Sequence, residues 1–98
     1  MSRIYIDVGG ILYVSTKDSL FKSSVLRELI LKQEHAEDNN IIFVDRDGSA
    51  FYYILTFLRS NTIAHVDPSY PYFIKFLIQE AEFYKLNRMV KLLTGLAQ

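Results

Sequence analysis

Residues 44–59, Val-Asp-Arg-Asp-Gly-Ser-Ala-Phe-Tyr-Tyr-Ile-Leu-Thr-Phe-Leu-Arg, change hydrophobic period within a few positions, and this change constrains the fold more than any other feature. The preceding run Ile41-Ile42-Phe43-Val44 is short, apolar and followed by turn chemistry, so it reads as a buried strand. Phe51, Ile54, Leu55 and Leu58 then fall at i, i+3, i+4 and i+7, the spacing of one helical face. Asp47 stands where a helix N-cap belongs. A carboxylate there accepts from the orphan N–H groups of the first turn and sits at the positive end of the helix dipole.

At the amino terminus Ile4, Ile6 and Val8 alternate with Tyr5 and Asp7, and Leu12 and Val14 continue the pattern after Gly9-Gly10. Two glycines between alternating runs predict a hairpin with a tight turn, because such turns need positive φ. A phosphate-binding role for the pair is set aside, since the wider Gly-x-Gly-x-x-Gly spacing is missing. Thr16 or Asp18 caps a short helical turn, and Ser24 starts a helix with Val25, Leu26, Leu29 and Ile30 inward. Residues 33–40 are polar and acidic and read as a surface connection, as does the stretch from Asn61 to Pro71, which holds both prolines. Pro71 suits the first turn of a helix whose stripe is Phe73, Leu77, Ala81 and Tyr84, with Phe76 and Phe83 at its edge. Tyr52, Tyr53 and Phe57 occupy the other face of the central helix. Asn87 caps a last helix carrying Met89, Val90, Leu92 and Leu93, which Thr94-Gly95 ends. Two strands, a helix, a strand and then several helices make an α+β pattern, with helices clustered around a small, mainly three-stranded sheet. Residues 1–98 form a single domain.

Composition narrows the function. Eleven basic and eleven acidic residues balance, so no whole-chain field recruits nucleic acid or an anionic membrane, and nothing opposes self-association. The chain has no cysteine, which excludes a disulfide framework, a thiol nucleophile and a thiolate zinc site. His35 and His65, the only histidines, lie in surface connections without a carboxylate cluster of ligand spacing, so neither a metal nor a cofactor is expected. Ser15, Ser19, Ser23 and Ser24 suit capping better than catalysis. Asp45, Arg46 and Asp47 lack the second constellation an acid–base site needs, and the chain is not expected to be an enzyme. No apolar run approaches the roughly 20 residues that span a bilayer, so direct membrane insertion is not expected.

Three blocks carry a resemblance. Asp45-Arg46-Asp47-Gly48 with Phe51, Ile54-Leu55 and Leu58-Arg59 is similar to the central signature of the potassium-channel tetramerisation branch of the BTB/POZ superfamily. Ile6-Asp7-Val8-Gly9-Gly10, followed by Thr16 and Leu20, resembles the family's opening strand and double glycine, and Glu80-Ala81-Glu82-Phe83-Tyr84 resembles its closing motif. Together the blocks reach from residue 4 to residue 93. The resemblance implies a BTB/POZ fold, with Gly9, Gly10, Phe51, Ile54, Leu55, Leu58, Glu80, Ala81, Phe83 and Tyr84 as structural positions and the rings of Phe83 and Tyr84 buried. It also implies homo-oligomers, four- or five-fold rings joined through charged surfaces that here include Asp7, Asp45, Arg46, Asp47 and Arg59. The closing motif looks more like the soluble, KCTD-like members than like channels. That implies a cytoplasmic assembly platform, an adaptor for a cullin-RING ubiquitin ligase, with Gln33, Glu34, His35, Glu37 and the last helix as partner surface. The alternative is the cytoplasmic tetramerisation domain of a potassium channel. The family's usual proline near Lys22 or Ser23 is missing here, as is the histidine and cysteine zinc motif of many channel domains.

Overall fold

A computed structural model describes residues 3–34 and 41–97. Its order is β1 (Arg3–Val8), β2 (Ile11–Thr16), α1 (Lys17–Leu20), α2 (Ser24–Glu34), β3 (Ile41–Val44), α3 (Gly48–Ser60), α4 (Pro71–Phe83) and α5 (Asn87–Leu96). The sheet order is β2-β1-β3, with β1 antiparallel to β2 and parallel to β3. This is the α+β architecture the period pattern predicts.

The turn sets the hairpin register. Gly9 and Gly10 lie at φ 57° and 102°, and Val8 then stands opposite Ile11 and Ile6 opposite Tyr13. Paired residues share a face. The inward row across the sheet is therefore Ile6 and Val8 of β1, Tyr13 of β2, and Ile42 and Val44 of β3. Leu12 and Val14 pair with Asp7 and Tyr5 and face outward, contrary to the simple continuation of the alternation. β3 is also half-buried rather than buried: Ile42 and Val44 point in, Ile41 and Phe43 out.

The helices close over the inward face. Phe51, Ile54, Leu55 and Leu58 of α3 are buried as their spacing requires, and Phe57 joins them in the core instead of facing outward with Tyr52. Ile74, Leu77 and Ala81 of α4, Tyr84, and Met89 and Leu93 of α5 complete the core. The Asp47 carboxylate caps α3, accepting from the Ala50 N–H at 2.9 Å, and Thr16 caps α1 by accepting from the Ser19 N–H. Ser23 does the work at the entrance to α2, where the family usually has a proline. Its hydroxyl accepts from the Leu26 N–H at 3.2 Å and donates to the Tyr84 carbonyl at 2.8 Å, tying α2 to the end of α4. Pro71 occupies the first turn of α4. Asn87 does not cap α5. It is the helix's first residue, after an N-cap Leu86 with no side-chain bond, and the helix runs on to Leu96 past Gly95. Gly95 is tolerated because nothing presses on it and the helix geometry continues.

Candidate functional site

Two tight turns meet at the start of α3. A Cβ on Gly9 would overlap the Arg46 carbonyl oxygen, and one on Gly48 would overlap the Val8 carbonyl oxygen and press on the Ile11 side chain. The hairpin turn and the Asp45–Gly48 turn thus touch backbone to backbone, which only glycine permits. The Gly9 N–H donates to the Val44 carbonyl at 3.0 Å, and the Tyr13 hydroxyl donates to the Gly48 carbonyl at 2.7 Å, so each turn is bonded to the other's strand.

The third block joins the same junction. The Arg46 guanidinium grips the Glu80 carboxylate along one edge with two donors, Nη2 to Oε2 at 2.6 Å and Nε to Oε1 at 3.3 Å. Glu80 is only 4% exposed, so its charge is compensated by a planar two-point pair inside the fold. The guanidinium also lies over the Phe83 ring, its Cζ 4.3 Å from the centroid. Phe83 is consequently a partly exposed lid on Arg46 and not a core ring, whereas Tyr84 is fully buried. Tyr84 packs against Phe51 with ring centroids 5.4 Å apart, and Phe51 against Tyr13 at 5.1 Å. Burial drives the Tyr84 hydroxyl far above the ordinary tyrosine range, the Glu80 charge adds to this, and Arg46 opposes it. Burial raises the Tyr13 hydroxyl as well, a backbone hydrogen bond lowers it, and the Asp47 charge raises it further.

These contacts divide the charged positions read from the sequence. Arg46 and Asp47 are engaged within the chain, one with Glu80 and the other with the first turn of α3. Asp7 lies on the central strand, and Asp45 and Arg59 border the sheet. Asp7 accepts from the Gly10 N–H at 2.8 Å, Arg59 donates to the Val14 carbonyl on the β2 strand at 2.8 Å, and Asp45 is exposed directly after β3. Among the supposed partner-surface residues, Glu34 pairs with Lys17 and Gln33 is half-buried at the end of α2. His35 and Glu37 lie outside the described residues. Among the described residues there is no cluster able to hold a metal, and no helix is long and apolar enough to cross a membrane.

The outer face of the sheet was not singled out by sequence reasoning. Tyr5, Leu12, Val14, Ile41 and Phe43 stand together there, Leu12 at 55% and Phe43 at 59% exposed, with the Asp7–Leu12 and Asp7–Phe43 pairings placing the two most exposed on either side of Asp7. The signal was available in the two-residue turn, which puts residues 11, 13 and 15 in phase with 8, 6 and 4 and so turns Leu12 and Val14 outward.

A BTB/POZ domain family model matches residues 4–93. The mouse BTB/POZ domain-containing protein KCTD21 is 33% identical over 95 residues, covering 92% of this chain and 35% of that protein. An uncharacterized protein of Dictyostelium discoideum is 27% identical over 95 residues, covering 92% of this chain and 12% of that protein. The chain spans well under half the length of these relatives. The family match touches every strand and helix described above, and the three motif blocks meet at one junction in space. The chain belongs to the BTB/POZ domain family, in its potassium-channel tetramerisation, KCTD-like branch.

Proposed function

We infer that this chain is a non-enzymatic assembly platform whose outer sheet face is its contact with further copies of itself. The observation that carries this reading is the group of exposed apolar side chains Tyr5, Leu12, Val14 and Phe43 on the outer face, which draws on all three strands and which, among the described residues, no helix covers. Exposed apolar side chains gathered on one face of a small domain point to an interaction site. Asp7 lies between Leu12 and Phe43 within this face, and Asp45 and Arg59 stand at its margin, so charged groups among and beside the apolar side chains can fix register. Zero net charge leaves little long-range repulsion between copies. A head-to-tail contact of this kind closes by rotation into a ring, of four or five subunits by family resemblance.

The test is a pair of charge insertions, Leu12→Lys and Phe43→Lys, at exposed positions outside the core. Analytical ultracentrifugation at micromolar protein should show an assembly for the parent chain and the 11.4 kDa monomer for the double variant, with helical circular dichroism unchanged. An unaltered mass for the double variant would place the contact elsewhere.

The finer role we favour is a cytoplasmic adaptor for a cullin-RING ubiquitin ligase over a channel tetramerisation domain. Support comes from the Glu80–Tyr84 motif and from similarity to a KCTD protein along most of the chain. Calorimetric titration of the assembly with the amino-terminal domain of a cullin decides it: saturable heat supports the adaptor, and no heat at tens of micromolar leaves only the assembly role.

A further inference from the structure

A groove of about 340 Å³ opens at the end of the molecule where α3 finishes and α5 begins, and it shares no residue with the sheet. Its walls carry Lys22, Lys85 and Arg88, and its floor is formed with Phe57, Leu58 and Leu86. Among the described residues no aspartate or glutamate lines it, although the chain as a whole has as many acidic as basic residues. The first turn of α5, which borders the groove, contains no acidic residue either. Lys22 donates to the Leu58 carbonyl at 2.8 Å and Arg88 Nε to the Asn61 side-chain oxygen at 3.1 Å. Both partners are uncharged, so both bonds fix the position of a cation without neutralising it.

Lys85 is held there at a conformational cost. The end of α4 is a Schellman turn: the Leu86 N–H donates to the Ala81 carbonyl at 2.9 Å and the Lys85 N–H to the Glu82 carbonyl at 3.0 Å. That motif places Lys85 in the left-handed region, φ 57°, where glycine is the unstrained choice. Among the described residues the Lys85 ammonium makes no ion pair or hydrogen bond. A strained backbone position occupied by an unpaired cation, beside two further cations of fixed position, is an arrangement that the fold itself does not need.

We propose that this groove is a docking site for an acidic peptide segment of a protein partner, with carboxylates of the peptide meeting Lys22, Lys85 and Arg88. Charge complementarity selects the partner: an uncompensated basic groove raises the local concentration of anionic segments and rejects basic ones.

Lys85→Gly separates function from folding, because it removes the cation while relieving the left-handed strain. Fluorescence anisotropy with a labelled Glu-rich peptide, in low salt, should show saturable binding that weakens as salt is raised. Lys85→Gly should weaken that binding about two- to fivefold, the share of one exposed ion pair, while its melting temperature equals or exceeds that of the parent. The triple change Lys22→Gln, Lys85→Gly, Arg88→Gln should remove binding. The monomeric Leu12→Lys, Phe43→Lys variant should still bind, since the groove lies within one chain, and this keeps the outcome independent of the assembly reading. Equal binding by parent and triple variant, equal binding of a Lys-rich peptide, or binding of a single-stranded oligonucleotide or anionic vesicles with none of the acidic peptide would each overturn the proposal.

Discussion

Removing Arg46 tests whether the charged turn serves the fold or a subunit boundary. In Arg46→Ala the Glu80 carboxylate, whose side chain is 5% exposed, loses a two-point partner and remains buried. Breaking a buried pair from one side costs about 3–5 kcal/mol. The Arg46 side chain is 31% exposed, so water reaches part of the vacated space and the cost falls to the lower end of that range. Loss of the contact with the Phe83 ring adds about 0.5–1 kcal/mol. A total of about 3.5–4 kcal/mol corresponds to a drop in Tm on the order of 20 °C for a domain of this length. The assay is thermal and urea unfolding of the monomeric Leu12→Lys, Phe43→Lys background, because assembly itself adds stability through mass action. Adding Glu80→Gln removes the stranded charge, so the double change at these two positions should cost less than the two single changes summed, a coupling of about 1–3 kcal/mol. If Arg46→Ala left the monomer's Tm unchanged and instead dispersed the parent assembly, the guanidinium would belong to the boundary and the argument from Glu80 would fail.

Two further perturbations read the core. Phe51→Ala and Leu55→Ala each delete part of the buried face of α3, and Phe51 also supports the Tyr13 and Tyr84 rings, so each should cost about 2–5 kcal/mol in a urea titration; an unchanged midpoint would mean that the helix packs differently. Among the described residues the Tyr84 hydroxyl is buried without a hydrogen-bond partner, so Tyr84→Phe should leave the unfolding free energy unchanged or raise it by up to about 1–3 kcal/mol, with Tm moving the same way. The same hydroxyl makes the fold sensitive to alkali. Above about pH 10 the unfolded chain has released this proton while the folded chain keeps it, so stability is full below pH 10 and falls as pH rises beyond it. Tyr84→Phe should move alkaline unfolding to higher pH, and a variant that unfolds at the parent's pH would contradict the assignment.

The legible parts of this fold are those in which local chemistry and tertiary packing agree. Asp47 is a cap by residue type and by geometry, and Phe51, Ile54, Leu55 and Leu58 share a face because their spacing allows no other arrangement on a packed helix. Misplacements arise where tertiary context decides. Phe57 lies off the main stripe of α3 yet is 6% exposed and belongs to the core, a burial that tertiary packing and not helical spacing confers. Phe83 is drawn out of the core by the guanidinium it stacks on, an interaction invisible until Arg46 and Glu80, 34 residues apart, are brought together. Asn87 has the chemistry of a cap but follows a Schellman turn that already fixes the chain's entry into α5.

The motif blocks that make the family recognisable are occupied with one another. Gly9 makes room for the Arg46 carbonyl, Gly48 for the Val8 carbonyl, Arg46 pairs with Glu80, and Phe51 stacks between Tyr13 and Tyr84. Residues committed in this way preserve the junction and have little left to offer a partner. The surfaces that remain available, Leu12 and Phe43 on the sheet and Lys85 in the basic groove, lie outside the central turn and the double glycine. A resemblance carried by the junction motifs therefore transfers the fold with little information about partners, and substitutions at Leu12, Phe43 and Lys85 are where a change in what the chain binds is expected. Exchanging those three residues between two relatives should move partner preference without moving Tm, whereas exchanging junction residues should do the reverse.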